Sequence, residues 1–190
     1  MRGKEMKDMY YDLADTVLGR VGFLWMYKNG KPLIKSIHLP VQGGRTELVI
    51  LKTFPGAVKG ADDVITRIGE SIQAYLKGET DRLSIDYLDL AVCSAFQKEV
   101  LLCDRQIPRG MVATYGGLAA KVNKPKGARA VGAAQAANPF PLIIPCHRVV
   151  RSDGALGGFG GGLEMKKKLL LLEGVTFDDA GKVHQQHIWS

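Results

Sequence analysis

The chain has no apolar run approaching the roughly 20 residues that span a bilayer. Its first fifteen residues, MRGKEMKDMYYDLAD, lack the apolar centre and small-residue cleavage site of a secretory signal. Membrane insertion and export are therefore not expected. Cysteine is scarce: Cys93, Cys103 and Cys146 are an odd number, no CxxC occurs, and the four histidines are scattered at 38, 147, 184 and 187. That pattern excludes a disulfide framework and gives no zinc spacing, so we expect no metal and a reducing, cytoplasmic home. Internal repeats and low-complexity linkers are absent as well. Acidic residues are thin in the second half: residues 91–190 carry 13 Lys and Arg against 7 Asp and Glu, whereas residues 1–90 carry 13 against 12. A partner that is a polyanion would meet the C-terminal half. What is present is 46% hydrophobic content over 190 residues, enough for one large or two small cores.

RVGFLWMY and PLIKSIHL are β-rich runs around KNGKP, a hairpin signal with Asn29 and Gly30 at its tip. The residues before them carry no assignable element. Over 61–77, Ala61, Val64, Ile65, Ile68, Ile72, Tyr75 and Leu76 share one helical face, Gly78 is placed to end the helix, and the helix should cover the sheet. LSIDYLDL reads as a short strand or extended linker. The boundary is expected near residue 90, giving an α/β N-terminal domain at 1–90, with a small antiparallel sheet, and a mainly helical C-terminal domain at 91–190. In the second, Ser94 can cap one helix and Thr114 another across TYGGLAAKV; Asn123 and Pro125 break the chain before KGARAVGAAQAAN. Short helices across a tight turn suggest a helix-turn-helix. PFPLIIPCHRVV is forced extended by its prolines, and GALGGFGGG should form a loop before the helix LEMKKKLLLLEG, with Lys166, Lys167 and Lys168 expected on a solvated face. The tail HQQHIWS is expected to be disordered. Cys93 and Cys103 are expected to be core thiols.

Pro145-Cys146-His147-Arg148 is the sharpest chemical signal. A free thiol has a pKa of about 8.5, so an imidazole able to take its proton, directly or through a water, would make it a nucleophile at neutral pH. Glu173 is the candidate carboxylate to hold the imidazole's tautomer. A buried structural cysteine is the alternative for a bare Cys-His pair.

Residues 96–175 carry FQKEV, IPRGMVATYGGLA, ARAVGAAQAANPFPLIIPCHRVV and GALGGFGGGLEMKKKLLLLEGV in order. This stretch resembles the O6-alkylguanine-DNA alkyltransferases, also called methylated-DNA–protein-cysteine methyltransferases. The resemblance implies single-turnover DNA repair: an alkyl group passes from O6 of a guanine in duplex DNA to Cys146, without a cofactor, in a monomer that reads the minor groove. It implies that His147 is the water-mediated base, Glu173 its partner, and Tyr115 a proton or hydrogen-bond donor to the guanine ring. Arg129 would fill the gap left by the everted nucleotide, and Thr114, Ala128 and Gly132 would lie against DNA. Asn138 would brace the acceptor turn, and Pro141, Val149, Phe159, Gly160 and Gly161 would wall the pocket. Phe159 and Gly160 stand where several relatives carry hydroxyl residues, and Leu101 and Arg109 where aromatics are common. A lesion-binding module without transfer, and a cysteine hydrolase that turns over small esters or amides, are the rival readings.

Overall fold

The computed structural model describes residues 9–40 and 43–189, so the first eight residues, to which no element was assigned, and the last serine of the tail lie outside the described residues. Contacts divide the chain into two compact units, residues 1–92 and 93–190.

Unit one is built on a four-stranded sheet of β1 (Met9–Thr16), β2 (Gly19–Lys28), β3 (Lys31–His38) and β4 (Val58–Lys59), in the order β3-β2-β1-β4. Asn29 and Gly30 both adopt positive φ, 53° and 74°, which gives the β2–β3 turn the twist its strands need. The sheet is antiparallel except at β4, which pairs parallel to β1. β1 is an element the sequence did not reveal, because its alternation of Tyr, Asp, Leu, Ala and Asp is only weakly apolar, and α1 and β4 were not read from it either. β2 buries five consecutive residues, 21–25, because both faces are covered. A Cβ on Gly22 would lie 2.6 Å from Ile50 of helix α1 (Thr46–Thr53), while a Cβ on Gly69 of helix α2 (Asp63–Lys77) would meet Ala14 at 2.8 Å with Phe23 beside it. Asp62 caps α2 by accepting from the amides of Val64 and Ile65, and Gly78 ends it in the left-handed region. Residues 87–89 run extended beside β3, bonded to both sides of Ile34's backbone.

Unit two is mainly helical: α3 (Ala95–Asp104), α4 (Tyr115–Lys121), α5 (Ala128–Ala136) and α6 (Leu163–Leu172), with a two-residue parallel pair β5 (Ala113–Thr114) and β6 (Val149–Val150). Ser94 and Thr114 cap α3 and α4 through their hydroxyls. Val100, Ile107, Leu118, Ala119, Val122, Val131 and Val149 form one buried cluster, which fixes α3, α4 and α5 around the acceptor segment. The β5–β6 register, Ala113 opposite Val149 and Thr114 opposite Val150, places the start of α4 beside the strand that follows residue 146.

Two expectations are corrected here. The tail is ordered to residue 189: Val112 donates its amide to the His187 carbonyl, Trp189 donates to the Val112 carbonyl, and the Lys121 ammonium sits 4.2 Å over the Trp189 ring. Polar composition suggested disorder, but the backbone hydrogen bonds are available only once residues 110–112 are in place. Cys103 is a core thiol, whereas Cys93 is only half-buried. Among the described residues no helix is long and apolar enough to cross a membrane.

Candidate active site

Residues 138–145 turn tightly ahead of Cys146. The Asn138 side chain accepts from the Phe140 amide at 2.9 Å and donates to the Ile144 carbonyl at 3.1 Å, and the Cys146 amide donates to the Ile144 carbonyl at 2.8 Å. Buried Leu142 is held at φ +73° inside this turn. An L-residue in that region costs about 1–2 kcal/mol, so the surrounding bonds over-determine the conformation. Gln97 of α3 reaches the Ala137 carbonyl at 2.8 Å and so satisfies the end of α5. Cys146, His147 and Arg148 then form a single buried 3-10 turn.

Cys146 opens on a cavity of about 620 Å³ whose lining also includes Tyr115, Gly132, Gln135, Arg151, Phe159 and Gly160. Behind the thiol, Glu173 sits at the C-terminus of α6, and its carboxylate accepts from His147 Nε2 at 2.7 Å and from Arg148 Nε and a terminal Arg148 nitrogen at 2.7 and 3.1 Å. Arg148 also donates to the Ile107 carbonyl at 2.6 Å. Burial opposes ionisation of Glu173, but the His147 ring and the Arg148 guanidinium outweigh it and hold the carboxyl well below the usual carboxylate range. An ionised Glu173 only accepts, so His147 carries its proton on Nε2. Nδ1 is left as the ring's proton acceptor, and it is buried without a hydrogen-bond partner among the described residues.

Cys146 is not a standing thiolate. Burial pushes its pKa up to about 12, with an Asn138 hydrogen bond and the charge of Lys166 pulling the other way. At neutral pH the site therefore holds Cys146 as a thiol. Tyr115 is likewise pushed up, first by burial and then by the neighbouring Cys146 and Asp104 groups, so it remains an O–H donor through neutral pH. A Cβ on Gly157 would fall 3.0 Å from the Tyr115 hydroxyl, so only glycine lets the 156–160 loop lie over that ring.

Of the residues expected on the pocket wall, Phe159 and Gly160 line the cavity; Phe159 stands edge-on to His147 with ring centroids 6.4 Å apart. Pro141, Val149 and Gly161 do not line it, and neither does Asn138, which braces the turn as expected. Val149 is fully buried in the core and Pro141 pairs with Ile144 inside the turn, because both belong to the segment that supports Cys146. Arg129 is exposed on α5 and borders a shallower surface pocket with Tyr115, Gly116, Ala128, Gly132, Arg151 and Ser152. Thr114 serves the α4 cap, accepting from the Gly117 amide at 2.9 Å. Leu101 is buried, and Arg109 donates to the Leu172 carbonyl at the end of α6.

Sequence reasoning missed four residues. Lys166 is fully buried, not solvated: its ammonium donates to the carbonyls of Val149, Leu156 and Gly158, tying the acceptor strand to the loop over the cavity. Its i, i+3, i+4 relation to Leu169 and Leu170 was the available signal. Arg148 clamps Glu173, Arg151 borders both cavities, and Asp104 is a fully buried acid whose Oδ1 accepts from Gln135 Nε2 at 2.6 Å.

Burial pushes the Asp104 pKa up to about 8 against the opposing Gln135 hydrogen bond. The folded state therefore holds a proton on Asp104 that the unfolded chain releases near pH 4, and stability falls as pH rises from there to about 8 at up to roughly 1.4 kcal/mol per unit. Asp104→Asn removes this titration. Chemical denaturation at pH 5 and pH 8.5 should find the variant gaining on the parent by about 2 kcal/mol or more across that interval; parallel pH profiles would refute it.

A family model for the 6-O-methylguanine DNA methyltransferase DNA-binding domain matches residues 95–175. A methylated-DNA–protein-cysteine methyltransferase of Methanothermobacter thermautotrophicus is 38% identical over 140 residues, 71% of this chain and 77% of the relative, and one from Methanosarcina barkeri is 33% identical over 87% and 97%. Among solved structures, the chain is similar to Mycobacterium tuberculosis OGT in complex with DNA, with a TM-score of 0.68 and 28% identity over 86% of this chain and 92% of that one. It is equally similar to the O6-methylguanine-DNA methyltransferase of Pyrococcus kodakaraensis, with a TM-score of 0.68 and 28% identity over 88% and 99%. With the acceptor turn, the His147–Glu173 pair and matches spanning both units, this chain belongs to the methylated-DNA–protein-cysteine methyltransferase family.

Proposed function

We propose that this protein repairs duplex DNA by moving an alkyl group from O6 of guanine to the Cys146 sulfur, once per molecule. The observation that carries this reading is a thiol opening on a base-sized cavity with a buried His147–Glu173–Arg148 chain behind it. A base inside the stack cannot reach a buried sulfur, so the lesion must be everted. Exposed Arg129, on a helix whose Ala128 and Gly132 allow close approach, is the residue to fill the vacated stack, with α4 and α5 as a helix-turn-helix lying in the minor groove. Exposed Arg151 borders the same surface and suits phosphate contact.

In the reaction, the thiol proton passes through a water to His147 Nδ1, where the ionised Glu173 stabilises the imidazolium. The sulfur attacks the alkyl carbon, the S–C bond forms as the C–O6 bond breaks, and guanine leaves as an anion. Tyr115 donates toward the ring, and the proton taken from Cys146 balances the one guanine regains. Because the resting thiol is neutral, its proton must be removed as the sulfur attacks. A thioether carbon is a poor electrophile, so the thiol is not regenerated. All these groups come from residues 93–190 of one chain; a monomer without a cofactor, acting in the cytoplasm, suffices.

Incubation with O6-benzylguanine should add one benzyl mass per chain, mapped by peptide mass spectrometry to Cys146, and Cys146→Ser should gain none. Tight binding to alkylated duplex with no mass gain by folded protein would refute transfer and favour a lesion-binding module. Continuing turnover of a small ester beyond one equivalent would favour a hydrolase.

A further inference from the structure

Gly132, Gln135 and Ala136 form one face of α5 along the Cys146 cavity. Gln135 alone among these three carries a polar side chain. It is more than nine-tenths buried, and although its Nε2 donates to Asp104, its Oε1 is buried without a hydrogen-bond partner among the described residues. Asp104, at the last turn of α3, is fully buried, and its own Oδ2 has no partner among the described residues. Two helices thus hold a costly polar pair, of which one end reaches the cavity wall. The pair adjoins the cavity that the thiol opens on, since Gln135 lines it together with Cys146 and Tyr115.

A pair needed only to join α3 to α5 would be satisfied within itself or replaced by apolar side chains of similar volume. Here the amide is held by one edge, leaving an unpaired carbonyl acceptor on a residue that lines the cavity. We propose that Gln135 is a specificity-determining residue that accepts a hydrogen bond from a donor on the O6 substituent, with Asp104 as its positioning residue, so that hydroxyalkyl adducts are favoured over methyl. This rests on the alkyl-transfer reading above. A methyl group leaves Oε1 unpaired, whereas the hydroxyl of a 2-hydroxyethyl group supplies the donor it lacks.

The test is the single-turnover rate, by intact mass, on duplexes carrying O6-(2-hydroxyethyl)guanine or O6-methylguanine. In Gln135→Met, and in the doubly apolar Asp104→Leu/Gln135→Met, the hydroxyethyl-to-methyl rate ratio should fall roughly tenfold, the scale of one unpaired buried polar group. The double variant removes both partners and so guards against misfolding, which thermal melting checks. Asp104→Asn keeps an oxygen to accept from Gln135 and should preserve the ratio, while Asp104→Leu alone should lower it. An unchanged ratio in the double variant, with methyl transfer detectable, overturns the assignment and leaves alkyl transfer standing. Absence of transfer from both duplexes by the parent protein overturns both.

Discussion

Glu173→Ala is expected to lower folding stability by about 3–5 kcal/mol and to abolish alkyl transfer in whatever remains folded. The carboxylate is buried and shared by two donors, His147 and Arg148, so its removal leaves a guanidinium in the interior without its carboxylate and strips the imidazole of the acceptor that fixes its tautomer. With native domains stable by only about 5–15 kcal/mol, this single change brings the C-terminal unit close to unfolding. Replacing both ends of the ion pair separates stability from chemistry. Arg148→Met with Glu173→Leu should recover most of the stability, because no unpaired charge remains, yet fail to transfer an alkyl group because His147 lacks its carboxylate. Urea denaturation and intact-mass measurement on the same samples test both halves. A Glu173→Ala variant within 1 kcal/mol of the parent on the ~1.4 kcal/mol-per-decade scale, or one still labelled at Cys146, would contradict the relay. The depressed Glu173 pKa makes this contribution complete above the unfolded carboxylate value of about 4.3 and removes it progressively as pH falls below that.

Lys166→Met should behave in the opposite way, sparing the fold more than the reaction. The ammonium joins the carbonyls of Val149, Leu156 and Gly158, so it fixes the loop over the cavity relative to the strand that follows the acceptor turn. Burial pulls its pKa down to about 8 while the nearby Cys146 sulfur pulls it up, so the charge costs desolvation but favours a developing thiolate. Methionine removes that desolvation cost together with the hydrogen bonds, and the net stability change should be modest. The loop carrying Phe159 and Gly160, however, loses its anchor. Displacement of a cavity wall by about 1 Å can cost on the order of a hundredfold in rate, and loss of the cation adds to it. Single-turnover labelling with O6-benzylguanine should therefore slow by roughly that factor in Lys166→Met, with denaturation midpoints close to the parent. Parental labelling rates would mean the loop is held by something else.

These two residues mark the limit of what a sequence can disclose here. IPCHRVV and its accompanying segments pointed to Cys146, His147 and the distant Glu173 by resemblance, and Ser94, Thr114, Gly78 and Asn29-Gly30 announced the caps and the hairpin because those signals act through neighbouring backbone. The all-apolar stretch of β2 was equally readable, since burial on both faces requires it. Lys166, in contrast, differs from Lys167 and Lys168 in sequence only by its spacing to Leu169 and Leu170, and its burial is decided by three carbonyls from two other segments that converge on it. Likewise the Asp104–Gln135 bond joins residues 31 apart, and the tail becomes ordered only against residues 110–112. Local composition determined the elements and the reacting atom. Which polar groups are buried, how far their ionisation is displaced, and that Cys146 rests as a thiol were decided by the packed interior, because desolvation and hydrogen bonding depend on neighbours that only tertiary contact supplies.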